Sequence, residues 1–272
     1  FPDLKDIEIK TPLGLYMQSK LSHAVDELRN SLDSYKFNEA ASTLYRFVWM
    51  EFCDWGIEYS KASKESIVEL GSLFKETLKM VSPFMPFISD YLYHKLSGTT
   101  LENGDSLMIM NFPKDIKKDE NIENMFSIIE EAIIAIRRAK TLIDMGNSKI
   151  EKAYLKLDVK IDEDVAKPFI EKLAKVENIE FVNSKVENSI TDVSNNLEVY
   201  IPTSAIDMKP IIEKLEKQQE KAQKEFDKLN GMLSNERFVA NAPANVIEEN
   251  KKALDEVKGR LEKIEAELKS LA

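Results

Sequence analysis

Two runs of apolar residues, spaced alternately by three and four positions, occupy the C-terminal part of this chain. They cover residues 212–233 and 247–271. Each run spans about three heptads, which favours a coiled coil. Pro243 and several polar residues separate the runs, so the chain is expected to fold back as an antiparallel coiled-coil hairpin. At ~1.5 Å per residue this hairpin, predicted over residues 206–272, is about 40 Å long.

The preceding part of the chain has the apolar spacing of helices. Through residues 1–147 apolar side chains recur every three or four positions, the pattern of amphipathic helices. Pro83 and Pro86 end one helix, because proline removes a backbone donor and restricts the residue before it. The stretch 97–122 contains glycine, proline and polar residues and predicts a long connection, after which a last helix carries Phe126 and a row of isoleucines. We therefore expect a helical bundle here.

One helix of the bundle is rich in aromatic residues, since residues 45–55 are YRFVWMEFCDW. Asn38 is the predicted N-cap. Helical spacing predicts one buried stripe: Leu44, Val48, Phe52 and Trp55. Aromatic residues also lie outside that stripe, so the helix is expected to be central and packed on several sides, with Asp54 buried beside an indole or a backbone group.

Residues 148–205 change to the alternating pattern of a half-buried strand. Apolar and polar residues alternate from Ala153 to Ile161 and again from Leu197 to Ile201. Between these runs we predict a helix over 163–176, with Pro168 at its start or in its first turn. This pattern predicts a small α/β unit, with one helix covering a sheet of two to four strands. The whole chain is thus predicted to be mainly α, with three domains: 1–147, 148–205 and 206–272.

The composition excludes several classes of protein. The chain has 48 acidic and 38 basic residues, a net charge of -10 and 43% hydrophobic residues, so we expect neither a disordered chain nor a globally basic nucleic-acid binder. No apolar run is long enough to cross a membrane. The single cysteine, Cys53, fits a reducing compartment, and we expect a cytoplasmic protein. The first residue is Phe1 and not methionine, which indicates a piece of a longer chain.

The sequence predicts no catalytic, cofactor or metal site. His23, His94 and Cys53 have no partners at the spacing of a metal site or of a nucleophile and its base. We interpret them as packing or surface residues. Glycine-rich phosphate-binding motifs are also absent from the sequence.

Nucleic-acid contacts, if the chain makes them, must come from local basic patches. Arg46 either packs within the aromatic helix or stacks on an unpaired base. Arg137, Arg138 and Lys140 lie opposite the isoleucine face of the last bundle helix, where they are either solvated or contact RNA phosphates. A lysine stripe at c and f positions of the first hairpin helix is either a solubilising face or a line of charges for a phosphate backbone. The lysine stripe consists of Lys214, Lys217, Lys221, Lys224 and Lys228.

Two motifs carry a resemblance to a known family. The first is FNEAASTLYRFVWMEFCDW at 37–55, followed by PFMPFI at 83–88. The second is LSNERFVANAP at 233–243, at the bend of the hairpin. Their order and spacing resemble the C-terminal region of valyl-tRNA synthetases along essentially the whole chain, although Gly56 replaces a residue that is usually larger. The first motif is shared more loosely with isoleucyl and leucyl enzymes, whereas the second is more specific to the valyl branch.

The resemblance implies an anticodon-binding bundle, a connecting α/β unit and an arm that contacts the outer corner of a tRNA. It implies a parent enzyme that attaches valine to its tRNA with ATP and magnesium, in catalytic and editing domains that would precede Phe1. This chain itself is then expected to hold no active site and no cofactor, to bind valine-accepting tRNA as a monomer, and to bind no membrane. The expected tRNA contacts are Arg46, Arg137 and Arg138 near the anticodon, and Lys217, Lys221, Lys224, Lys228 and Arg237 on the arm.

Two alternatives stay open at this level. One is the anticodon-binding region of an isoleucyl-type synthetase, which competition between valine and isoleucine tRNAs would identify. The other is a non-enzymatic coiled-coil protein that binds another protein. The salt dependence of binding distinguishes this second alternative from an RNA-binding protein, because affinity for RNA phosphates falls steeply as salt rises.

Overall fold

The computed structural model describes residues 1–143, 145–205, 209–234 and 244–271. The chain divides into two units, which we call the body (Phe1–Thr203) and the hairpin (Ser204–Ala272). The division lies close to the predicted boundary at 205. The predicted boundary at 147 lies within the body, and the separation of two domains there stays a prediction.

Helices make up the first part of the body. In chain order they are α1 (Pro12–Asp33), α2 (Phe37–Tyr45), α3 (Ile57–Ser60), α4 (Ile67–Val81), α5 (Pro86–Ser97) and α6 (Glu120–Leu142). Side-chain caps start the two longest of these helices. The Thr11 hydroxyl accepts a hydrogen bond from the Gly14 N–H at 3.0 Å, and the Asp119 carboxylate accepts from Asn121 and Ile122. These caps satisfy N–H groups that have no partner within the helix.

The aromatic segment departs from the predicted regular helix. Residues Arg46–Gly56 form a π-helical segment, in which hydrogen bonds join residues five apart. The N–H of Ile57 accordingly donates to the Phe52 carbonyl. This spacing buries Phe47 and Phe52 together. Of the predicted stripe, Leu44 and Phe52 are buried, whereas Val48 and Trp55 are half-buried.

Burial on several sides is also wrong for this segment. Tyr45 and Trp49 are 58% and 57% exposed, and their rings stack with centroids 6.4 Å apart. Asp54, predicted to be buried, is exposed. The predicted cap is wrong as well, because α2 begins at Phe37, before Asn38.

The rest of the body is an α/β unit, with elements β1 (Ile150–Leu157), α7 (Glu163–Ala174), β2 (Val176–Phe181), β3 (Ser189–Val193) and β4 (Leu197–Pro202). The strands of the described chain lie in the order β2-β1-β4-β3. α7 crosses between the parallel strands β1 and β2, whereas the other pairs are antiparallel. One helix with a sheet of this size was predicted, and β3 was missed. Pro168 lies inside α7, beyond its first turn, which corrects the prediction.

The core of the body joins the bundle to the α/β unit. Its centre is formed by apolar side chains of α1 and α6: Leu13, Met17, Leu21, Phe126, Ile129, Ile133 and Ile136. The Phe126 ring stacks on Tyr16 at 4.4 Å between centroids. The same ring also contacts Phe169 of α7 at 5.2 Å. One aromatic side chain therefore packs against both parts of the body.

The hairpin consists of α8 (Lys209–Leu233) and α9 (Ala244–Leu271). Its seam buries residues from the two predicted heptad series: Ala222, Val257 and Leu261, with Phe226 and Leu229 packed against them. Gln219 lies 3.5 Å from Glu265, whereas later residues of α8 pack against Val257 and Leu261, which precede Glu265, so the two helices run in opposite directions. The antiparallel pairing predicted from the sequence is therefore confirmed for the described residues. No helix within the described ranges has the length and hydropathy of a membrane span.

Candidate nucleic-acid interface

The lysine stripe lies on the face of α8 that points away from the seam. Lys217, Lys221, Lys224 and Lys228 are all exposed, as heptad positions c and f require. Lys224 pairs with Glu220 at 2.6 Å, and this contact lowers the pKa of Glu220. Arg237 and the side chain of Lys214 lie outside what the structure describes.

Arg46 lies at the start of the π-helical segment and is half exposed. Its guanidinium forms an ion pair with Glu27 of α1 and lies 3.8 Å from Glu51. Burial raises the pKa of Glu51, so this carboxylate is the weaker ion-pair partner of Arg46. Beside Arg46 lie the exposed rings of Tyr45 and Trp49. An arginine next to two stacked, exposed aromatic rings is a suitable surface for unpaired bases.

An apolar groove adjoins these rings, with a volume of about 400 Å³. It lies between α2, the π-helical segment, α4 and α5, and its wall includes Val48, Phe74, Leu78 and Ile88. Sequence reasoning missed the exposed rings and this groove. They were missed because of the π-helical geometry, which places Tyr45 and Trp49 outside the core.

The three basic residues of α6 bind the α/β unit. Arg138 donates to the Asp192 carboxylate of β3 at 2.7 Å. Arg137 donates to the Leu173 carbonyl at 2.9 Å, and Lys140 donates to the Ala174 carbonyl at 3.0 Å. Lys140 is only 1% exposed, so the expectation of a solvated face is wrong for this residue. Burial, with the nearby charges of Lys175 and Arg137, lowers the pKa of Lys140 to about 8.

The histidines and the cysteine make local contacts. His94 is buried with its Nδ1 2.7 Å from the Thr99 hydroxyl, and His23 lies 3.0 Å from Glu123. Burial raises the pKa of the Cys53 thiol, which disfavours the reactive thiolate. Among the described residues no group of three or more His, Cys, Asp and Glu side chains could hold a metal ion.

Two family models match successive parts of the chain. The family model for the anticodon-binding domain of tRNA ligase matches residues 15–155. The family model for the valyl tRNA synthetase tRNA binding arm matches residues 207–272. The two matches together include most of the helical bundle and all but the first residue of the predicted hairpin.

Curated relatives are valine–tRNA ligases. The one from a Nitratiruptor species is 54% identical over 271 residues, which is 100% of this chain and 31% of the relative. The one from Wolinella succinogenes is 49% identical over 271 residues, again 100% of this chain and 30% of the relative. The one from Aquifex aeolicus is 29% identical over 96% of this chain and 24% of the relative. The chain thus spans less than a third of the length of these relatives. It belongs to the family of anticodon-binding domains of tRNA ligases, and its C-terminal hairpin matches the tRNA-binding arm of valyl-tRNA synthetases.

Proposed function

We propose that this chain is the tRNA-binding C-terminal region of a valine–tRNA ligase. The observation that carries the proposal is the succession, in one chain, of an anticodon-binding match and a valyl-type arm match. The arm match favours the valyl enzymes over the isoleucyl alternative. The exposed lysine stripe on α8 favours an RNA partner over a protein partner, because evenly spaced exposed cations suit a phosphate backbone.

In this proposal the body binds the anticodon region of valine tRNA and the hairpin binds its elbow. Two weak sites joined in one chain bind more tightly than either alone, since the second contact forms at high effective concentration. The contacts would also orient the distant acceptor end. The enzyme would join valine to tRNA, with ATP and magnesium, in parts outside this chain. We further propose that the enzyme is monomeric and acts in the cytoplasm.

The proposed contact residues follow the division of the chain. Lysines of the stripe, with Arg237, would attract phosphates without strict geometry, as ammonium groups do. Arg46 and Arg138 would exchange their carboxylate partners for RNA. The exchange at Arg138 has a cost, because the Asp192 carboxylate is only 17% exposed and would lose its cationic partner.

Filter binding of the purified chain to a valine tRNA transcript tests this proposal. Raising the salt from ~50 to ~200 mM should weaken binding by about 10²-fold, since each contacted phosphate adds roughly 0.9 to the log–log slope and four or more contacts are expected. Isoleucine tRNA should bind at least about tenfold more weakly. Binding without preference and without salt dependence would contradict the proposal, whereas preference for isoleucine tRNA would support the isoleucyl alternative.

A further inference from the structure

We propose that a basic cleft between α6 and α7 binds a backbone phosphate of the RNA. This inference rests on the proposed function, because it takes the bound polyanion to be the tRNA. The cleft has a volume of about 660 Å³. Its charged lining residues are Lys61, Arg137, Lys140, Lys172, Lys175 and Glu58.

The charge of the basic cleft is opposite to that of the protein. The chain as a whole has a net charge of -10, yet the described lining contains five cations and one carboxylate. That carboxylate, Glu58, pairs with Lys61. The remaining four cations therefore lie together without a carboxylate partner among the described residues.

Two of these cations are fixed in place by the end of α7. Arg137 donates one hydrogen bond to the Leu173 carbonyl at 2.9 Å, and Lys140 donates one to the Ala174 carbonyl at 3.0 Å. A guanidinium has five N–H donors and an ammonium has three. Most donors of both groups are thus left for other acceptors, and the planar arginine matches the oxygens of a phosphate.

The burial of Lys140 favours an anionic ligand in the basic cleft. It is 1% exposed, and a buried charge is costly unless an opposite charge accompanies it. Here the nearby charges are positive: Lys175 and Arg137 add to burial in lowering the pKa of Lys140. A phosphate in the cleft would supply the missing negative charge.

Lys172 and Lys175 form the exposed side of the cleft, and neither has an ion pair with any described residue. Lys175 ends α7 with a φ of 56°, a left-handed conformation in which glycine is usual because it has no Cβ. A lysine here carries backbone strain that glycine would avoid. A cation at this position attracts an anionic ligand. It also interacts favourably with the negative C-terminal end of the α7 dipole, so the test must separate the two effects.

The neighbouring surface favours a polymer over a single small anion. A second groove shares Lys61, Lys172 and Lys175 with the basic cleft and adds Lys149 together with Glu171 and Glu177, so its lining has four lysines and two carboxylates. Lys149 is held by Glu177 at 2.7 Å. Cations therefore continue past the space of one phosphate, as the successive phosphates of an RNA strand require.

The test uses the whole chain with Lys172→Gln and Lys175→Gly together. Glycine is chosen because it removes the charge and relieves the left-handed backbone at residue 175. Valine tRNA should bind about tenfold or more weakly at ~100 mM salt, and the log–log salt slope should fall by about 1 to 2. The melting temperature should stay within about 2 °C of the unsubstituted chain, because relief of backbone strain at residue 175 offsets the lost interaction with the helix dipole. A role of these lysines limited to the helix end would instead leave tRNA affinity unchanged.

The matched control is Lys160→Gln with Lys185→Gln, which removes the same charge from the same α/β unit. Both lysines are exposed and follow the ends of the parallel strands β1 and β2, whereas Lys175 precedes the start of β2. They therefore lie at the opposite end of these two strands from Lys175. This control should bind tRNA like the unsubstituted chain.

Lysine acetylation read by mass spectrometry gives a second measurement at the site. Valine tRNA should protect Lys172 and Lys175, and ~10 mM inorganic phosphate should protect them less. Equal binding by the two double variants, or protection by inorganic phosphate alone, would overturn the basic cleft as an RNA site and leave the proposed function standing. Failure of the unsubstituted chain to bind tRNA would overturn both.

Discussion

Replacing Lys217, Lys221 and Lys228 with glutamine is expected to weaken valine tRNA binding by roughly 10²- to 10³-fold at ~100 mM salt. Each ammonium–phosphate contact releases condensed counterions and is worth roughly a factor of ten at that salt concentration. Lys224 is left in place because Glu220 already pairs with it. The measurement is tRNA affinity across a salt series, in which the log–log slope should fall by about 2 to 3.

The second helix of the same hairpin provides a matched control. Lys251, Lys252 and Lys258 of α9 are also exposed, with Lys252 paired to Glu248 at 3.3 Å, and their replacement with glutamine removes the same charge. Neither triple variant changes a residue of the described seam, so both hairpins should keep their helical circular dichroism. Equal loss of affinity in the two variants would mean that the α8 stripe is not the contact face.

The replacement Phe126→Ala should destabilise the body by about 3–5 kcal/mol, as expected for a fully buried aromatic side chain. Its ring contacts Tyr16 of α1, Tyr59 of α3 and Phe169 of α7, so the loss affects the bundle and the α/β unit together. Thermal unfolding should shift down by about 10 °C or more. Both parts should still unfold in a single transition.

The exposed Phe37 offers the control for this substitution. It is 58% exposed, and Phe37→Ala should change stability by only about 0.5 kcal/mol. Two separate transitions in the Phe126→Ala chain, with only one of them shifted, would instead indicate that residues 1–147 and 148–205 unfold as independent domains.

The correct predictions concern features that depend only on residues close together in the sequence. The heptad spacing predicted the seam that contains Ala222, Val257 and Leu261, because a helix of known period presents the same side chains wherever it lies. Pro83 and Pro86 predicted the break between α4 and α5 because proline restricts its own and the preceding backbone. The two quoted motifs indicated the family for a different reason, resemblance alone.

The errors occur where tertiary contacts or an altered helical period decide the outcome. Ordinary helical spacing does not apply to Arg46–Gly56, and the burial predicted around Tyr45, Trp49 and Asp54 was wrong. The solvated face expected for Lys140 was wrong because its acceptor, the carbonyl of Ala174, is distant in sequence. The basic cleft was missed for the same reason, since Lys61, Lys140 and Lys175 come from three separate segments.

A hydroxyl-radical footprint of valine tRNA, taken with the whole chain bound, tests most directly whether one chain binds one tRNA at two places. Two separate protected stretches are expected, one in the anticodon arm and one at the elbow. The triple variant at Lys217, Lys221 and Lys228 should lose protection at the elbow and keep it in the anticodon arm. A single protected stretch, or a triple variant that loses the anticodon protection and keeps the elbow, would contradict binding through two units.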